Sequence, residues 1–314
     1  LQIPYPSLLF ILSSDKKYSL LKGMIHAHGF PIKALTDWKP PHRGKSRAQT
    51  VNDLSTAEGS YPVQEDKRLG MTDEEQAIWD DAIRFARSNK KAIGKRLTDQ
   101  TRYPPEKEPV SVFMAGSPGA GKTEASLALL NLFSDTPILR IDPDELRTEF
   151  EAYQGGNAWL FQGAVSILVG KLIDLALDRN QSFLLDGTLS NIEIARNNVR
   201  RCLDKGRFVQ ILYVYQDPRL AWSFVTAREE AEGRRIRPEH FVDQYFAARD
   251  VVNMLKLEFG KDLHVDLLVK HIDNSGRLYK AGVDKIDYHI PEKHTKHDLM
   301  VMLGINNGVT PCFP

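Results

Sequence analysis

Residues 110 to 123, Val-Ser-Val-Phe-Met-Ala-Gly-Ser-Pro-Gly-Ala-Gly-Lys-Thr, restrict the fold more than any other stretch. Val110 to Met114 is a short apolar run with β-branched residues and predicts a buried strand. Gly116 to Thr123 fits G-x-x-x-x-G-K-[ST], the phosphate-binding loop. Glu124 to Phe133 continues with helical spacing and strong helix formers. A glycine-rich turn that carries Lys-Thr by chance would not have a strand before it and a helix after it. Glycines at 116, 119 and 121 let backbone N–H groups turn inward around a phosphate. The helix N-terminus adds partial positive charge. Lys122 can reach the outer phosphates, and the Thr123 hydroxyl can ligate Mg²⁺. Gly116, Ser117, Pro118, Gly119, Ala120, Gly121, Lys122, Thr123 and Glu124 are therefore the expected nucleotide-binding segment. The segment specifies a nucleoside triphosphate and leaves the phosphoryl acceptor open.

A chain of 314 residues has room for one large domain with additions, or for two. Its 42 basic and 41 acidic residues give no general footprint for nucleic acid or membrane, so neither is expected as a partner. Cys202 and Cys312 form no disulfide framework and no metal spacing, which predicts a reducing, cytoplasmic setting. Apolar Leu8 to Leu12 is too short to span a bilayer and lacks the flanks of a signal peptide.

Residues 1 to 71 are interrupted by proline and carry a polar, basic arm from Thr36 to Ala57, so a poorly structured extension is expected. His26 and His28 there, and His294 with His297 near the other end, read as ordinary surface histidines. Thr72 with Asp73, Glu74, Glu75 and Gln76 opens a helix that runs to about residue 98. A proline-rich linker reaches Pro109. Strands are then predicted at 110–114, 137–141, 182–186, 208–214 and 265–272. Helices are predicted between them at 124–133, 158–177, 192–203, 218–230 and 238–259, with a short one at 297–303. Asp273 to Gly276 reads as a turn. Strands alternating with helices imply an α/β fold of the P-loop NTPase or kinase type. Its sheet is mainly parallel with helices on both faces, and an N-terminal helical extension precedes it.

Phosphoryl transfer needs a phosphate cradle, a metal, a residue that deprotonates the nucleophile and positive charge near the transition state. The cradle is the loop. Thr123 would hold the metal, with Asp186 at the end of the third strand assisting directly or through water. Asp142 and Asp144 close the second strand, where ligands bind in open α/β sheets. Asp144 is the expected base and Asp142 its structural partner, although both could also serve as helix caps before Leu146. Arg228 and Arg235 are the expected cations, separated by Gly233 in a basic, glycine-containing loop. Basic runs are more often solvated faces.

Gly116 to Thr123, then Ile141-Asp-Pro-Asp144, then Asp186-Gly-Thr188, then Thr226-Ala-Arg228 and Arg234-Arg235-Ile236 resemble the zeta toxin family of bacterial toxin–antitoxin kinases. The resemblance covers about residues 72 to 295. It implies a kinase domain over 110–295, with the helix and linker at 72–109 before it and a tail at 296–314 after it. It further implies ATP as donor and UDP-N-acetylglucosamine as acceptor. Phosphorylation on the 3′-hydroxyl of the amino sugar would block cell-wall precursor synthesis. In that scheme Lys122 is the loop lysine, Asp144 the base and Arg228 with Arg235 the neutralising arginines. Thr188 and Asn198 stand on the substrate side. The family's sugar-holding acid falls near Gly170 here, with Asp174 one turn on. The stretch Asp186 to Ser190 lacks the family's arginine. A partner antitoxin of packed helices is implied, and the 72–98 helix could play that part in cis or pack on the sheet for stability. Two further readings stay open: a kinase for a dinucleotide, nucleoside or antibiotic, and a nucleotide-dependent switch or ATPase with a protein partner. The Asn-Lys-x-Asp guanine signature is absent, which counts against a GTPase switch.

Overall fold

The computed structural model describes residues 70–131, 137–233, 235–270, 277–290 and 294–304. The expectations for residues 1–69, the turn at 273–276, Arg234 and Cys312 fall outside these ranges. Among the described residues six strands form one sheet: β1 Val110–Ala115, β2 Leu139–Ile141, β3 Phe183–Leu185, β4 Phe208–Tyr215, β5 Leu263–Lys270 and β6 Arg277–Lys280. Seven described α-helices accompany them: α1 Asp73–Leu97, α2 Lys122–Asn131, α3 Gln162–Asp178, α4 Ile192–Asp204, α5 Pro218–Glu232, α6 Pro238–Phe259 and α7 Lys296–Met302. The sheet order is β2-β3-β1-β4-β5-β6, parallel except where β6 pairs antiparallel with β5.

The order explains where ligand space opens. β1 lies between β3 and β4, with Phe113 opposite Leu185 on one side and Ala115 opposite Tyr213 on the other. The chain leaves β1 toward the β2 side and later crosses to β4. The connections therefore diverge above the carboxyl end of β1, which is the crevice where open α/β sheets bind ligands.

Alternating side chains divide the core. Phe113, Ile141, Phe183, Ile211, Tyr213 and Leu267 face a large cluster filled by α3, α4 and α6. Val112, Met114, Leu184, Leu212 and Val214 face Ala125 and Leu129 of α2 on the other side. Helices thus cover both faces, as the alternation predicted. The helix α1 is an addition outside α3. A capping box opens it, in which Thr72 accepts from Glu75 N–H and the Glu75 carboxylate accepts from Thr72 N–H. Trp79, Ala82, Ile83, Ala86 and Ile93 are buried in the main core. The backbones of α1 and α3 approach closely at two glycines. A Cβ on Gly94 would lie 2.7 Å from Leu175 Cδ1, and one on Gly163 would lie 3.1 Å from Ile83 Cδ1.

Strand β6 and four 3-10 turns were not foreseen. Strand β6 is held through a buried carboxylate on β5. Asp266 accepts from Tyr279 O–H at 2.6 Å, from Gly282 N–H at 2.9 Å and from the Gln210 amide. Burial pushes the Asp266 carboxyl upward. Strand β5 runs over 263–270, two residues earlier than expected at each end. The stretch Ala158–Asp178 is long and apolar enough to cross a membrane, with mean hydropathy 1.7. In the fold its α3 part is the central core helix, with Ala164, Val165, Leu168, Leu172 and Ile173 buried.

Candidate active site

Each loop glycine meets backbone or a charged tip where a side chain would begin. Gly116 has φ +134, and a Cβ there would lie 2.3 Å from Val214 O; Gly119 has φ +71, and its Cβ would lie 2.0 Å from Ala221 O. The loop is thus fitted against β4 and α5 as well as against its own strand. Gly116 N–H donates to Thr188 O at 3.3 Å, which sets the turn after β3 beside the loop. In that turn Leu189 takes φ +54, an uncommon conformation for a residue with a Cβ, and Thr188 Oγ1 lies 3.1 Å from Ser190 Oγ.

Lys122 lies half-buried and donates to Gly116 O at 3.1 Å and Ser117 O at 2.6 Å. Burial pulls its ammonium from 10.5 down to about 8; Asp186, Asp144 and Glu124 pull the other way, and Arg228 adds to the lowering. The same charges that act on Lys122 are those expected to form the reacting centre.

Behind the loop the carboxylates are held by an arginine on β2 that sequence reading passed over. Arg140 donates to Asp186 Oδ2 from Nη2 at 2.7 Å and from Nε at 3.2 Å, and to Asp142 Oδ2 at 2.5 Å. Ser126 of α2 also donates to Asp186 Oδ2, at 2.7 Å. Asp142 accepts from Asp144 N–H at 2.7 Å, which shapes the turn. Burial pushes Asp142 up to about 6; Arg140 opposes this, while Asp144 and Asp186 add to it. Asp142 is thus tied into the turn that carries Asp144.

Asp144 differs. It stands at the start of a 3-10 turn, Glu145–Glu149, and makes no side-chain cap bond there. Its carboxylate accepts from Arg147 Nη1, and its side chain is 39% exposed. The capping alternative is therefore removed for Asp144, and its carboxylate stays accessible.

A cleft of about 480 Å³ brings the pieces together. Thr123, Asp142, Asp144 and Glu145 line it with Arg228 and Glu232 of α5, and with Tyr153, Gln154 and Gly155. Gly155 closes against the end of α5, since a Cβ there would lie 2.9 Å from Glu232 O. Helix α5 ends on Gly233 at φ +69, a left-handed cap rather than an open hinge. A volume of this size suits a small-molecule site.

Four positions considered in the sequence analysis are placed outside the cleft. Asn198 is 1% exposed on the inward face of α4 with Ala195, Val199 and Cys202, and it does not line the cleft. Gly170 is buried inside α3, and Asp174 is paired with Arg201. Arg235 is exposed, with Glu229 Oε1 at 3.6 Å, and it does not line the cleft either. Helix α1 contributes no lining residue, so its place is in the core. Cys202 is buried, which raises its thiol.

Thr123 fits the metal role, because it shares the cleft lining with the acids Asp142, Asp144, Glu145 and Glu232, and hydroxyl and carboxylate oxygens suit Mg²⁺. Asp186 is already held by Arg140 and Ser126, which suits assistance through water from behind. Among the described residues no group of three or more His, Cys, Asp or Glu is gathered as a metal cage.

Of the missed residues, Tyr153, Gln154 and Gly155 sit in a loop without periodicity. Arg140 alternates along a strand and gave no signal. Lys270 ends β5 and reaches Gly121 O, at a strand carboxyl end of the kind where ligands lie in open α/β sheets.

Comparison with known proteins places the chain. It is 24% identical over 203 residues to Toxin PezT of Streptococcus pneumoniae serotype 4 (strain ATCC BAA-334 / TIGR4), which covers 62% of this chain and 73% of that protein. A solved structure from the PezAT chromosomal toxin–antitoxin system of S. pneumoniae superposes with TM-score 0.48 and 20% identity, over 74% of this chain and 94% of that one. AvrRxo1-ORF1:-ORF2 with ATP gives TM-score 0.46 and 14% identity, over 75% and 78% of the two chains. The sequence profile of the zeta toxin family matches residues 94–284. With more than half of its length matched, the chain belongs to the zeta toxin family.

Proposed function

We propose that this chain is an ATP-dependent kinase that transfers the γ-phosphoryl group to a hydroxyl of a sugar nucleotide, UDP-N-acetylglucosamine at its 3′-hydroxyl in the first instance. The observation that carries the transfer is the cleft in which Thr123, Asp144 and Arg228 share one lining beside Lys122. A phosphate site alone would serve a switch. An accessible carboxylate and an arginine facing the same space suit a proton acceptor and a stabiliser of a transferring phosphoryl group.

In this scheme the loop N–H groups and Lys122 hold the phosphate chain. Thr123, with Asp186 behind it, would hold Mg²⁺, which neutralises the β- and γ-oxygens when bound. Asp144 accepts the proton as the acceptor oxygen bonds to the γ-phosphorus. The bond from that phosphorus to the β-phosphate oxygen breaks, and ADP leaves. Arg147 orients the Asp144 carboxylate, and Arg228 offsets charge on the transferring group. Arg235 would have to move inward to join it.

Membership of the family and similarity to a relative named a toxin support a toxic role and an antitoxin partner. A second reading, a kinase for another hydroxyl acceptor, is favoured by the burial of Asn198 and by the absence of an arginine at Ser190. γ-Labelled ATP offered with UDP-N-acetylglucosamine decides between them. Labelled sugar nucleotide from the wild type, lost in Asp144→Ala and Lys122→Ala, is the expected result. ATP turnover without that product moves the acceptor to another hydroxyl, and failure to bind ATP overturns the kinase.

A further inference from the structure

Lys270, the last residue of β5, turns back onto the phosphate loop. Its Nζ donates to Gly121 O at 3.3 Å, across 149 positions of sequence. A Cβ on Gly121 would lie 1.7 Å from that nitrogen and 3.1 Å from Glu124 Oε2. The space left by the missing side chain of Gly121 is therefore filled by an ammonium group, at the point where the loop becomes α2. Lys122 occupies the other end, over Gly116 and Ser117. The loop thus carries two cations at separate places, only one of which belongs to the motif.

Their placement divides a phosphate chain. Thr123, Arg228 and the acceptor-side carboxylate gather at the cleft, which assigns the distal phosphate to that end. The backbone N–H groups at the start of α2, on the loop's other side, are left in this scheme for the phosphates nearer the nucleoside. We propose that Lys270 is a second nucleotide-binding cation, which holds the proximal part of the triphosphate. The proposal rests on the ATP reading above. A charged hydrogen bond of this kind supports about a tenfold to hundredfold gain in affinity.

Titration calorimetry of Mg-ATP into the full chain, with thermal melts of the free protein, tests the proposal in wild type, Lys270→Met and Lys270→Arg. The methionine variant is expected to weaken ATP binding about tenfold or more, to melt within about 2 °C of wild type, and to be largely rescued by arginine. Unchanged affinity in Lys270→Met overturns the proposal. So does a loss of affinity that arrives with a lowered melting temperature and no rescue by arginine, since that outcome makes Lys270 a clip for the loop. Wild type that fails to bind ATP overturns the reading on which the inference rests, whereas binding by wild type with an indifferent Lys270→Met overturns the inference alone.

Discussion

Lys122 has a pH dependence that its position dictates. Its ammonium is pulled to about 8 by burial, while an unfolded lysine keeps its ordinary 10.5. Between those values the unfolded chain binds the extra proton. This group's contribution to stability therefore rises with pH from about 8 to 10.5 and is unfavourable below. ATP binding runs the opposite way. Below pH 8 the lysine is already charged, and above it binding must recruit a proton. ATP affinity is expected to be flat up to about pH 8 and then to fall, approaching tenfold per pH unit. Calorimetry in buffers of different ionisation enthalpy would show the proton uptake. A flat profile through pH 9.5 would contradict the depressed lysine. The loop residues were legible because a short motif encodes both their geometry and their chemistry. Asp144 was legible as an acid at a strand end, and the structure added that it caps nothing. Asn198 was misplaced because alignment by resemblance cannot tell which face of α4 turns inward. Arg140 was invisible because its distant partner, Asp186, meets it only when β2 and β3 pair.

The elements were easier to read than their roles. Helix α1 announced itself through Thr72 and its acidic first turn, but its sequence did not say what it packs against. Two uses were open, a block on the nucleotide site or a packing helix. The contacts favour packing, with Trp79 and Ile83 buried against α3, Phe85 edge-on to Phe150 at 5.4 Å and Arg96 on Glu149 at 2.7 Å. The last two contacts tie α1 to the segment that carries Asp144. Trp79→Ala is expected to cost about 3–5 kcal/mol in chemical denaturation. Removing residues 1–100 should yield a poorly folded protein. A soluble truncation with increased ATP use would restore the blocking role. Strand β6 escaped the sequence reading because a short antiparallel strand after a turn has no period long enough to register, and its anchor, Asp266, was read only as one position of the fifth strand.

At the scale of the whole molecule, the switch in strand order above β1 decides where the proposed functional groups can meet. The acids come from the ends of β2 and β3, Arg228 from the helix after β4, and Lys270 from the end of β5. No local sequence window contains them together, so motif and strand-end rules reached Thr123, Asp142, Asp144 and Arg228 of the lining but not Tyr153, Gln154 or Gly155. The loop is fitted to the body at Gly116, whose φ of +134 and 2.3 Å approach to Val214 O exclude a side chain. Gly116→Ala is expected to abolish ATP binding and lower stability by about 1–3 kcal/mol, measured by calorimetry and thermal melting. Normal binding would show that the loop can move away from β4. The sheet's two outer edges carry a different consequence. Strand β2 has three residues with Arg140 among them, and β6 has four, beginning with Arg277 and ending with Lys280. Such brief margins, among the described residues, offer a neighbouring chain little ladder to extend, which works against edge-to-edge aggregation.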